Sequence, residues 1–398
     1  MYANDLKTIY LEPAWRLRKT SYIQAFFRSP PEGYRFVAHS VIQDRGFQIL
    51  SRYGFSFKVQ GALAQLLPLQ LLKSYVETFK KRPSDAVLTY ALDHLVLRKE
   101  PWVLEMTFEL PYVLCGSTKW LMSLRDKVRK ILLSENCKKI LFQLEKGREA
   151  FLYQLGKDLA YKTEVVPRGE LPKAFKKNCD SERIKILFVN SANISDEFGF
   201  YVKGGAEVVM AFLELNKMYK SIELVLRTVI PNAYKRKLSR FKNVKIIDRA
   251  IPWTELEIEW KTADIFVHPH HGNLSHALLD AMSYGLPIVT TDTWATPEIV
   301  EDGKTGFLVH DPKAAKFTEG PVLRLDDPLY LKEILKGPNP EMVKELVEKI
   351  STFIENPKLR CKMGEKAREE VEKGKHSLKM RNEKLKKALD EALNGDKL

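Results

Sequence analysis

Several features that define common classes of protein are missing from this sequence of 398 residues. Its four cysteines, Cys115, Cys137, Cys179 and Cys361, have neither the spacing of a disulfide framework nor that of a zinc site, which favours a reducing compartment. The N-terminal segment lacks the apolar core of a signal peptide, and no apolar run approaches the ~20 residues that cross a bilayer. These absences predict a cytoplasmic protein, with any membrane association being peripheral and at the inner face.

Acidic residues are scarce in the first half of the chain. Residues 1–180 carry 30 Lys and Arg against 18 Asp and Glu, whereas the remaining residues carry 35 against 33. A basic excess of this kind attracts polyanions. Nucleic acid is the weaker explanation, because no helix-turn-helix, RNA-recognition or zinc-finger pattern accompanies the charge. An anionic acceptor or membrane surface fits better, and a lysine-rich surface that faces only solvent explains the excess equally well.

The length and the alternating apolar runs predict two α/β domains. In the first half we expect short strands at Thr8–Leu11, Arg35–Ala38, Phe55–Val59, Ala86–Tyr90, Trp102–Met106 and, as the last strand, Lys138–Phe142. The helices expected there are Leu63–Lys80, Leu121–Leu133 and Glu145–Leu155. After a polar linker, a doubly wound series follows at Ile184–Val189, Ala206–Asn216, Glu223–Arg227, Val244–Ile247 and Glu255–Thr262. The tail predicts three helices, Glu341–Glu355, Lys358–Glu372 and His376–Asn394.

The segment Ala263–Val309 is the most informative part of the chain. A short apolar run, Ile265–Val267, ends at a proline and a polar loop. Ser275 can cap a helix that Gly285 ends, and a second buried strand follows at Pro287–Thr290. Polar groups therefore gather where strands end, which is the edge of a parallel sheet where ligands bind.

The same segment resembles the donor-binding core of the retaining glycosyltransferases of family 4. The matching residues are Leu279-Asp280-Ala281-Met282, Gly285-Leu286-Pro287-Ile288, Thr291-Asp292, Pro297-Glu298-Ile299-Val300, Asp302-Gly303 and Gly306-Phe307-Leu308-Val309. The resemblance implies the GT-B fold, with two Rossmann-like α/β domains facing a central cleft. It implies an acceptor-side domain at 1–175, a nucleotide-sugar-binding domain at 183–375, and a C-terminal helix, 376–398, that packs back on the first domain.

The resemblance also implies an activity. A sugar would move from a nucleotide-diphosphate donor to a glycan or lipid-linked acceptor, as a hexosyl transfer with retention of anomeric configuration. The nucleotide sugar would be a substrate, so no cofactor is expected, and the reaction would not need a metal. Catalysis would consist mainly of positioning and of stabilising the departing diphosphate.

Site residues are carried over from the family by position. Lys203, before Gly204-Gly205, corresponds to a lysine that binds the donor diphosphate, and glycines let backbone N–H groups approach an anion. The backbone of Asn273-Leu274-Ser275 would bind phosphate at a helix start, and Asp280 would bind the ribose. Arg227 could replace a family arginine that is missing at Asn190-Ser191-Ala192. For each residue a purely structural role is the alternative.

The chain departs from the family pattern in three places. The first motif glutamate would fall near Gly272, where there is no acid, and His271 is the expected substitute for contact with the donor sugar. The histidine cluster around it lacks the convergent partners of a zinc site. In the first domain a family histidine is absent, so Glu109 is the candidate catalytic group, with Glu105 as a second choice, and a surface carboxylate is the alternative for both.

These departures leave a rival interpretation open. A GT-B protein that has lost catalysis would bind a nucleotide, a polyanion or a partner enzyme on the same scaffold. A nicotinamide-dependent dehydrogenase is excluded, because the strand Ile186–Val189 is followed by Asn190-Ser191-Ala192-Asn193 and not by Gly-x-Gly-x-x-Gly.

Overall fold

The computed structural model describes residues 6–12, 21–38, 63, 65–175, 177, 181–190, 197–249, 251–272 and 276–395, without the side chain of residue 21. The chain divides into two compact units. The first unit consists of Met1–Leu171, Gly320–Val322 and Lys373–Leu398, and the second consists of Pro172–Glu319 and Leu323–Glu372. Each unit contains a six-stranded parallel sheet with helices, which confirms the predicted fold class.

The sheet of the first unit has the order β2-β1-β3-β4-β5-β6, and all of its strands are parallel. Its strands are β1 (Lys7–Glu12), β2 (Tyr34–Val37), β3 (Ala86–Leu92), β4 (Trp102–Met106), β5 (Cys137–Phe142) and β6 (Thr163–Val165). The helices are α1 (Ser21–Arg28), α2 (Leu69–Glu77), α3 (Thr118–Ser123), α4 (Arg125–Leu133) and α5 (Glu145–Leu155), with 3₁₀ turns at Pro111–Leu114 and Lys157–Lys162. Strands of a parallel sheet are buried on both faces, which explains their apolar sequences.

Three predictions for this unit are wrong in detail. The expected helix Leu63–Lys80 is interrupted at Leu67 and Pro68, and α2 covers only Leu69–Glu77 of it. The expected helix Leu121–Leu133 is two helices, because Leu124 takes a non-helical backbone conformation between α3 and α4. The strand β5 is not the last one, since β6 pairs with it in parallel and completes the sheet. The expected strand Phe55–Val59 lies outside the described residues.

The C-terminal helix α15 (Leu378–Asn394) belongs to the first unit. The Ser377 side chain caps it by accepting a hydrogen bond from the Met380 amide. Leu385, Ala388 and Leu389 are buried in the same hydrophobic cluster as Ile9 of β1. The helix thus covers one face of the first sheet.

The sheet of the second unit has the order β12-β11-β10-β7-β8-β9 and is also parallel. Its strands are β7 (Ile184–Val189), β8 (Ile222–Arg227), β9 (Val244–Ile247), β10 (Ile265–His268), β11 (Ile288–Thr291) and β12 (Gly306–Val309). A separate pair of short strands, β13 (Thr318–Glu319) and β14 (Val322–Leu323), follows.

The helices between these strands complete a doubly wound unit. They are α6 (Phe198–Val202), α7 (Gly205–Met218), α8 (Asn232–Leu238), α9 (Trp253–Thr262), α10 (Ala277–Ser283), α11 (Pro312–Lys316), α12 (Pro328–Leu335), α13 (Pro340–Glu355) and α14 (Pro357–Glu372), with a 3₁₀ turn at Thr296–Glu298. The core includes Phe188 of β7, Val209 and Phe212 of α7, and Leu346 of α13, all of which are buried.

The cysteines differ from their expected state in one respect. Cys115 and Cys137 are buried free thiols, and burial raises the pKa of each to about 12. Cys361, however, is disulfide-bonded. Separation along the chain does not determine proximity in the fold, so the sequence spacing could not reveal this bond. Among the helices that the structure describes, none has the length and apolar character needed to cross a membrane.

Candidate functional site

The order of strands in the second unit places a binding crevice at the ends of β7 and β10. The chain runs from β7 outward through β8 to β9, and then returns to β10 on the other side of β7. The connections leave in opposite directions at this point, and ligands of open α/β sheets bind at the carboxyl ends of strands where this happens. The site is therefore expected where Asn190 follows β7 and Pro269 follows β10.

The turn between α6 and α7 is built from two glycines that lie against this edge. Gly204 has a φ of +75°, and a Cβ there would collide with the Pro269 carbonyl oxygen. A Cβ at Gly205 would collide with the ring of Phe200. Only glycine can hold the start of α7 this close to the end of β10. The long helix α7 thus directs its amino end, with its partial positive charge, toward the edge of the sheet.

Lys203 ends α6 directly before this turn. Its side chain is partly buried, and burial lowers the pKa of its ammonium group to about 8. Within the described part of the chain, no carboxylate or carbonyl oxygen pairs with its Nζ. The lysine is close enough to His268 and His270 for its charge to lower the pKa of both imidazoles. A partly desolvated cation at the switch point is suited to a bound anion, and the contact of Lys203 with a diphosphate remains a prediction.

The two histidines at the end of β10 are buried and neutral. His268 lies between the rings of Phe188 and Phe266, and burial, followed by the charge of Lys203, lowers its pKa well below 6.5. Burial lowers the pKa of His270 to about 3, and its Nδ1 is 3.0 Å from the Gly272 carbonyl oxygen. These imidazoles contribute no positive charge to the edge, whereas Lys203 does.

His271 is held between two carboxylates. Its Nδ1 lies 2.8 Å from Asp311 Oδ2 and its Nε2 lies 3.2 Å from Glu207 Oε1, and all three side chains are buried. Burial alone would lower the pKa of His271, but the hydrogen bonds to Asp311 and Glu207 raise it to about 9. Both ring nitrogens are engaged, so neither is left for the predicted contact with a donor sugar.

The carboxylates around His271 are residues that the sequence analysis did not identify. Glu207 lies in the first turn of α7, and Asp311 caps α11 by accepting hydrogen bonds from the amides of Lys313 and Ala314. The Lys313 ammonium lies 3.7 Å from Glu207 Oε1. This buried cluster of two cations and two anions ties α7, the loop after β10 and α11 together. It fixes the loop whose neighbouring residues are expected to bind phosphate.

Arg227 lies at the end of β8, on the same edge. It is buried, its Nη1 donates a hydrogen bond of 2.8 Å to the Asn190 carbonyl oxygen, and burial lowers its pKa. The guanidinium therefore joins the ends of β8 and β7. The structure places it at the same edge of the sheet, where it holds Asn190, the residue directly after β7.

Asp280 lies in the first turn of α10 and is half-buried. Its backbone amide donates to the His276 carbonyl oxygen, and its own carbonyl accepts from the Ser283 hydroxyl. Asn273, Leu274 and Ser275, the predicted phosphate-binding backbone and its cap, lie outside the described residues. Asp280 therefore lies in the first helical turn after the loop that follows β10, which is a position that the predicted ribose contact requires. The contact itself remains a prediction.

In the first unit, Glu105 and Glu109 are both buried, so the interpretation as surface carboxylates is wrong. Glu109 Oε1 accepts a hydrogen bond of 2.7 Å from the Gln143 amide, and its carboxylate packs against Gly147 in α5. Glu105 accepts hydrogen bonds from the hydroxyls of Tyr22 and Tyr90. A carboxylate enclosed in this way holds the sheet and its helices together. The structure does not expose the candidate catalytic Glu109 to a substrate.

In the residues that the structure describes, no three His, Cys, Asp or Glu side chains are grouped as metal ligands. The two histidines after β10 make separate sets of hydrogen bonds. His270 bonds to Gly272 and Thr296, and His271 bonds to Asp311 and Glu207.

Comparison with known sequences identifies the segment that contains this site. Residues 199–325 match the family described as Glycosyl transferases group 1. The sulfoquinovosyl transferase SQD2 of Arabidopsis thaliana is 30% identical over 142 residues, which is 34% of this chain and 22% of that protein. Spore coat protein SA of Bacillus subtilis is 42% identical over 38 residues, 10% of each protein. The matched segments thus span less than a quarter of these relatives.

Solved structures are similar over nearly the whole chain. The structure of Anabaena HepE in complex with UDP and glucose has a TM-score of 0.58 at 13% identity, covering 97% of this chain and 99% of that one. Sucrose-phosphate synthase from Thermosynechococcus elongatus has a TM-score of 0.58 at 12% identity, covering 98% and 100%. At such low identity the likeness concerns the fold. Residues 199–325 are therefore a glycosyl transferases group 1 domain, in a chain that has the two-unit GT-B fold.

Proposed function

We propose that this protein transfers a sugar from a nucleoside-diphosphate donor to an acceptor, with retention of anomeric configuration and without a metal ion. The observation that carries the proposal is the position of Lys203. It is a partly buried ammonium group, next to the Gly204-Gly205 turn, at the topological switch point of the second sheet. The family match over residues 199–325 supports the same chemistry.

The proposed chemistry depends on stabilising the diphosphate as it leaves. Negative charge accumulates on the diphosphate when the bond to the sugar breaks, and a fixed cation in a partly desolvated site stabilises that charge strongly. Lys203 supplies the cation, and the amino end of α7 adds its dipole. The neutral His268 and His270 provide polar surroundings without competing for the anion. The remainder of the rate enhancement comes from holding the donor and the acceptor close together in the orientation that the reaction needs.

The first donor to test is a uridine nucleotide with a hexose. The similar HepE structures contain UDP, UDP-glucose, or UDP with glucose. We propose that the acceptor is a glycan or a lipid-linked molecule held by the basic first unit, since residues 1–180 carry most of the excess positive charge. Glu109 is not part of this proposal, because it is buried against α5.

Thermal unfolding of the full chain with UDP, GDP and ADP, and with their glucose conjugates, tests the donor class. A ligand at a hundredfold excess over its Kd stabilises the fold by about 2.7 kcal/mol, which raises the Tm by about 3 °C if the whole chain unfolds together and by about 6 °C if the second unit unfolds alone. We expect this shift with one nucleotide diphosphate and a much smaller shift with its nucleoside. If none of these compounds shifts the transition, the proposal is wrong. Binding without any release of free nucleotide diphosphate from the sugar conjugate would favour the non-catalytic interpretation.

A second test concerns the ribose. Replacing Asp280 by asparagine removes a carboxylate that can accept hydrogen bonds from the ribose hydroxyls, and such a bond is worth about 1.5–3 kcal/mol. We expect the variant to lose roughly tenfold or more in affinity for the ribonucleotide and little for the 2′,3′-dideoxy analogue. Isothermal titration calorimetry measures both. Equal losses for the two ligands would show that Asp280 does not bind the ribose.

A further inference from the structure

A half-buried apolar surface borders Lys203 in the second unit. Tyr201 and Val202, which end α6, directly precede the lysine, and both pack against a small hydrophobic cluster together with Trp294 and Leu325. We call Tyr201, Val202, Trp294 and Leu325 the apolar wall, and each of these residues is only half-buried. The cluster behind the wall is buried and consists of Ala314, Phe317, Leu323, Tyr330 and Ile334.

The apolar wall lies at the same edge of the sheet as Lys203. The Val202 carbonyl oxygen accepts a hydrogen bond of 2.9 Å from the amide of His271, in the segment that follows β10. Gly272 is the next residue, and a Cβ at this glycine would lie 3.6 Å from Val202 Cγ1 and 3.9 Å from Leu325 Cδ1. A side chain at position 272 would therefore point at the wall, and the glycine keeps that space open.

Trp294 has a strained backbone conformation in the loop after β11. Its φ is +51°, a left-handed value that bulky residues rarely adopt. On either side of it, the hydroxyl of Thr293 donates to the His270 carbonyl oxygen at 3.1 Å, and Thr296 Oγ1 lies 3.2 Å from His270 Nε2. Strain of this kind persists where the surrounding structure fixes it, and it is concentrated at binding sites. The indole is therefore held in a fixed place on the apolar wall.

The polar side chains that border the wall are engaged with one another. Both ring nitrogens of His271 bond to carboxylates, and the Thr293 hydroxyl lies 3.0 Å from Asp311 Oδ2. A sugar hydroxyl that faced the wall would lose its hydrogen bonds to water without a replacement from these groups, which is unfavourable. A C–H or methyl group in the same place would lose no hydrogen bond and would bury apolar surface.

We propose that the apolar wall holds the sugar of the donor, and that this sugar is a deoxyhexose, in which a hydrogen atom replaces the hydroxyl group that would face the wall. A donor with its diphosphate at Lys203 extends from it in two directions, as nucleoside and as sugar. Asp280, the predicted ribose contact, lies on α10, whereas the wall begins at the residue directly before Lys203. The wall is therefore assigned to the sugar. The inference rests on the proposed transfer and specifies its substrate.

Calorimetry of the full chain with UDP-glucose and with its 3-deoxy, 4-deoxy and 6-deoxy analogues tests the sugar. If the thermal test selects guanosine or adenosine, the same sugars are linked to GDP or ADP. We expect one deoxy analogue to bind about 10- to 100-fold more tightly than the glucose conjugate, because an apolar pocket discriminates against an added hydroxyl group by up to about 100-fold. The analogue that binds most tightly also identifies the carbon atom that faces the wall.

Tryptophan fluorescence reports the contact with the wall without depending on catalysis. The emission should change when the preferred sugar conjugate binds, and it should change much less when UDP binds. Trp294→Phe should remove this difference, because the phenylalanine keeps an aromatic ring on the wall but not the indole. Trp253→Phe is the matched control, since Trp253 is 48% exposed on α9 of the same unit, and it should leave the difference as in the wild type.

Variants at Gly272 test the direction of the preference. Gly272→Glu places a carboxylate at the wall, where it accepts a hydrogen bond from a sugar hydroxyl, so the preference should shift at least about tenfold toward the glucose conjugate. Gly272→Ala is the control for folding. Its Cβ meets Val202 and Leu325 at ordinary contact distances, so its Tm should stay within about 2 °C of the wild type and its preference should be unchanged. Both variants should bind UDP as the wild type does.

Three results would overturn the inference and leave the proposed transfer intact. The first is that the glucose conjugate binds as tightly as all three deoxy analogues, or more tightly. The second is that UDP alone produces the full fluorescence change of Trp294, which would assign the wall to the nucleoside. The third is that Gly272→Glu binds UDP but keeps the preference of the wild type. If no nucleoside diphosphate binds to the wild type, the proposed transfer is wrong, and the inference is wrong with it.

Discussion

Replacing Lys203 by methionine is expected to lower the affinity for the nucleoside diphosphate by roughly 10- to 100-fold and to leave the affinity for the nucleoside nearly unchanged. The methionine keeps the apolar stem of the side chain and removes only the ammonium group. A charge-assisted hydrogen bond to phosphate is worth about 1.5–3 kcal/mol. The loss should be confined to ligands with a diphosphate, since the ammonium group has no function toward the base.

The pH dependence of binding provides an independent check on Lys203. Burial lowers its pKa to about 8 in the free protein, and a bound diphosphate would raise it again. The protonated form binds the anion, so the affinity of the wild type should change little between about pH 7, where the terminal phosphate is ionised, and pH 8, and should fall as the pH rises above 8. Lys203→Met should remove this fall. Calorimetry across this range, with buffers of different ionisation enthalpy, also measures the proton taken up on binding.

Lys217→Met is the matched control for Lys203. Lys217 belongs to the same unit, and it is exposed and paired with Glu214 at the surface of α7. Its replacement should change neither the affinity for the diphosphate nor the pH profile. If Lys203→Met weakens nucleoside and nucleoside diphosphate equally, the lysine contributes to the shape of the site and not to the binding of phosphate.

The position of the site could be predicted from sequence because its determinants are local. A buried parallel strand is a short apolar run, and β10, β11 and the polar residues after them follow one another within a few dozen residues. The Lys203-Gly204-Gly205 turn can also be recognised in the sequence, because the position of Gly204 against Pro269 accepts only glycine. Two features that have no local signal could not be predicted. The strand β6 is only three residues long, and Leu124, where the expected helix is interrupted, is neither a glycine nor a proline.

The environment of individual side chains was less predictable, because it depends on partners far along the chain. His271 was assigned to the sugar, but its partners Asp311 and Glu207 are 40 and 64 residues away in sequence. Glu105 was the second candidate for the catalytic group, with a surface carboxylate as the alternative, but Tyr22, 83 residues away, donates to it inside the first unit. Charged residues on an apolar strand gave no indication of these partners. Their burial is a property of the assembled sheet.

The cluster around His271 leads to the second large effect. Replacing His271 by glutamine should destabilise the second unit by about 3–5 kcal/mol, because it leaves two buried carboxylates, Glu207 and Asp311, with Lys313 as the remaining cation. Urea unfolding followed by circular dichroism should show an earlier transition for the second unit. The transition of the first unit, which does not contain the cluster, should not move.

The sign of the pH dependence follows from the pKa of His271. Its folded-state value of about 9 is above its ordinary value of 6.5, so the folded protein holds the proton after the unfolded chain has released it. The stabilisation is fully present below pH 6.5 and is lost as the pH rises through 9, a change of about 3 kcal/mol. The carboxylates act in the opposite direction, because the hydrogen bonds to His271 lower the pKa of Glu207 and Asp311, and their contribution is lost in acid.

The difference in unfolding free energy between the wild type and His271→Gln should therefore be largest near pH 6 and should shrink between pH 6.5 and 9. His310→Gln is the matched control, because His310 pairs with Asp292 on the surface of the same unit, where an ion pair contributes about 0–1 kcal/mol. A difference that stays constant over this range would mean that His271 is neutral in the folded protein. The loop after β10 would then be held by neutral hydrogen bonds, and the cluster would not depend on a protonated imidazole.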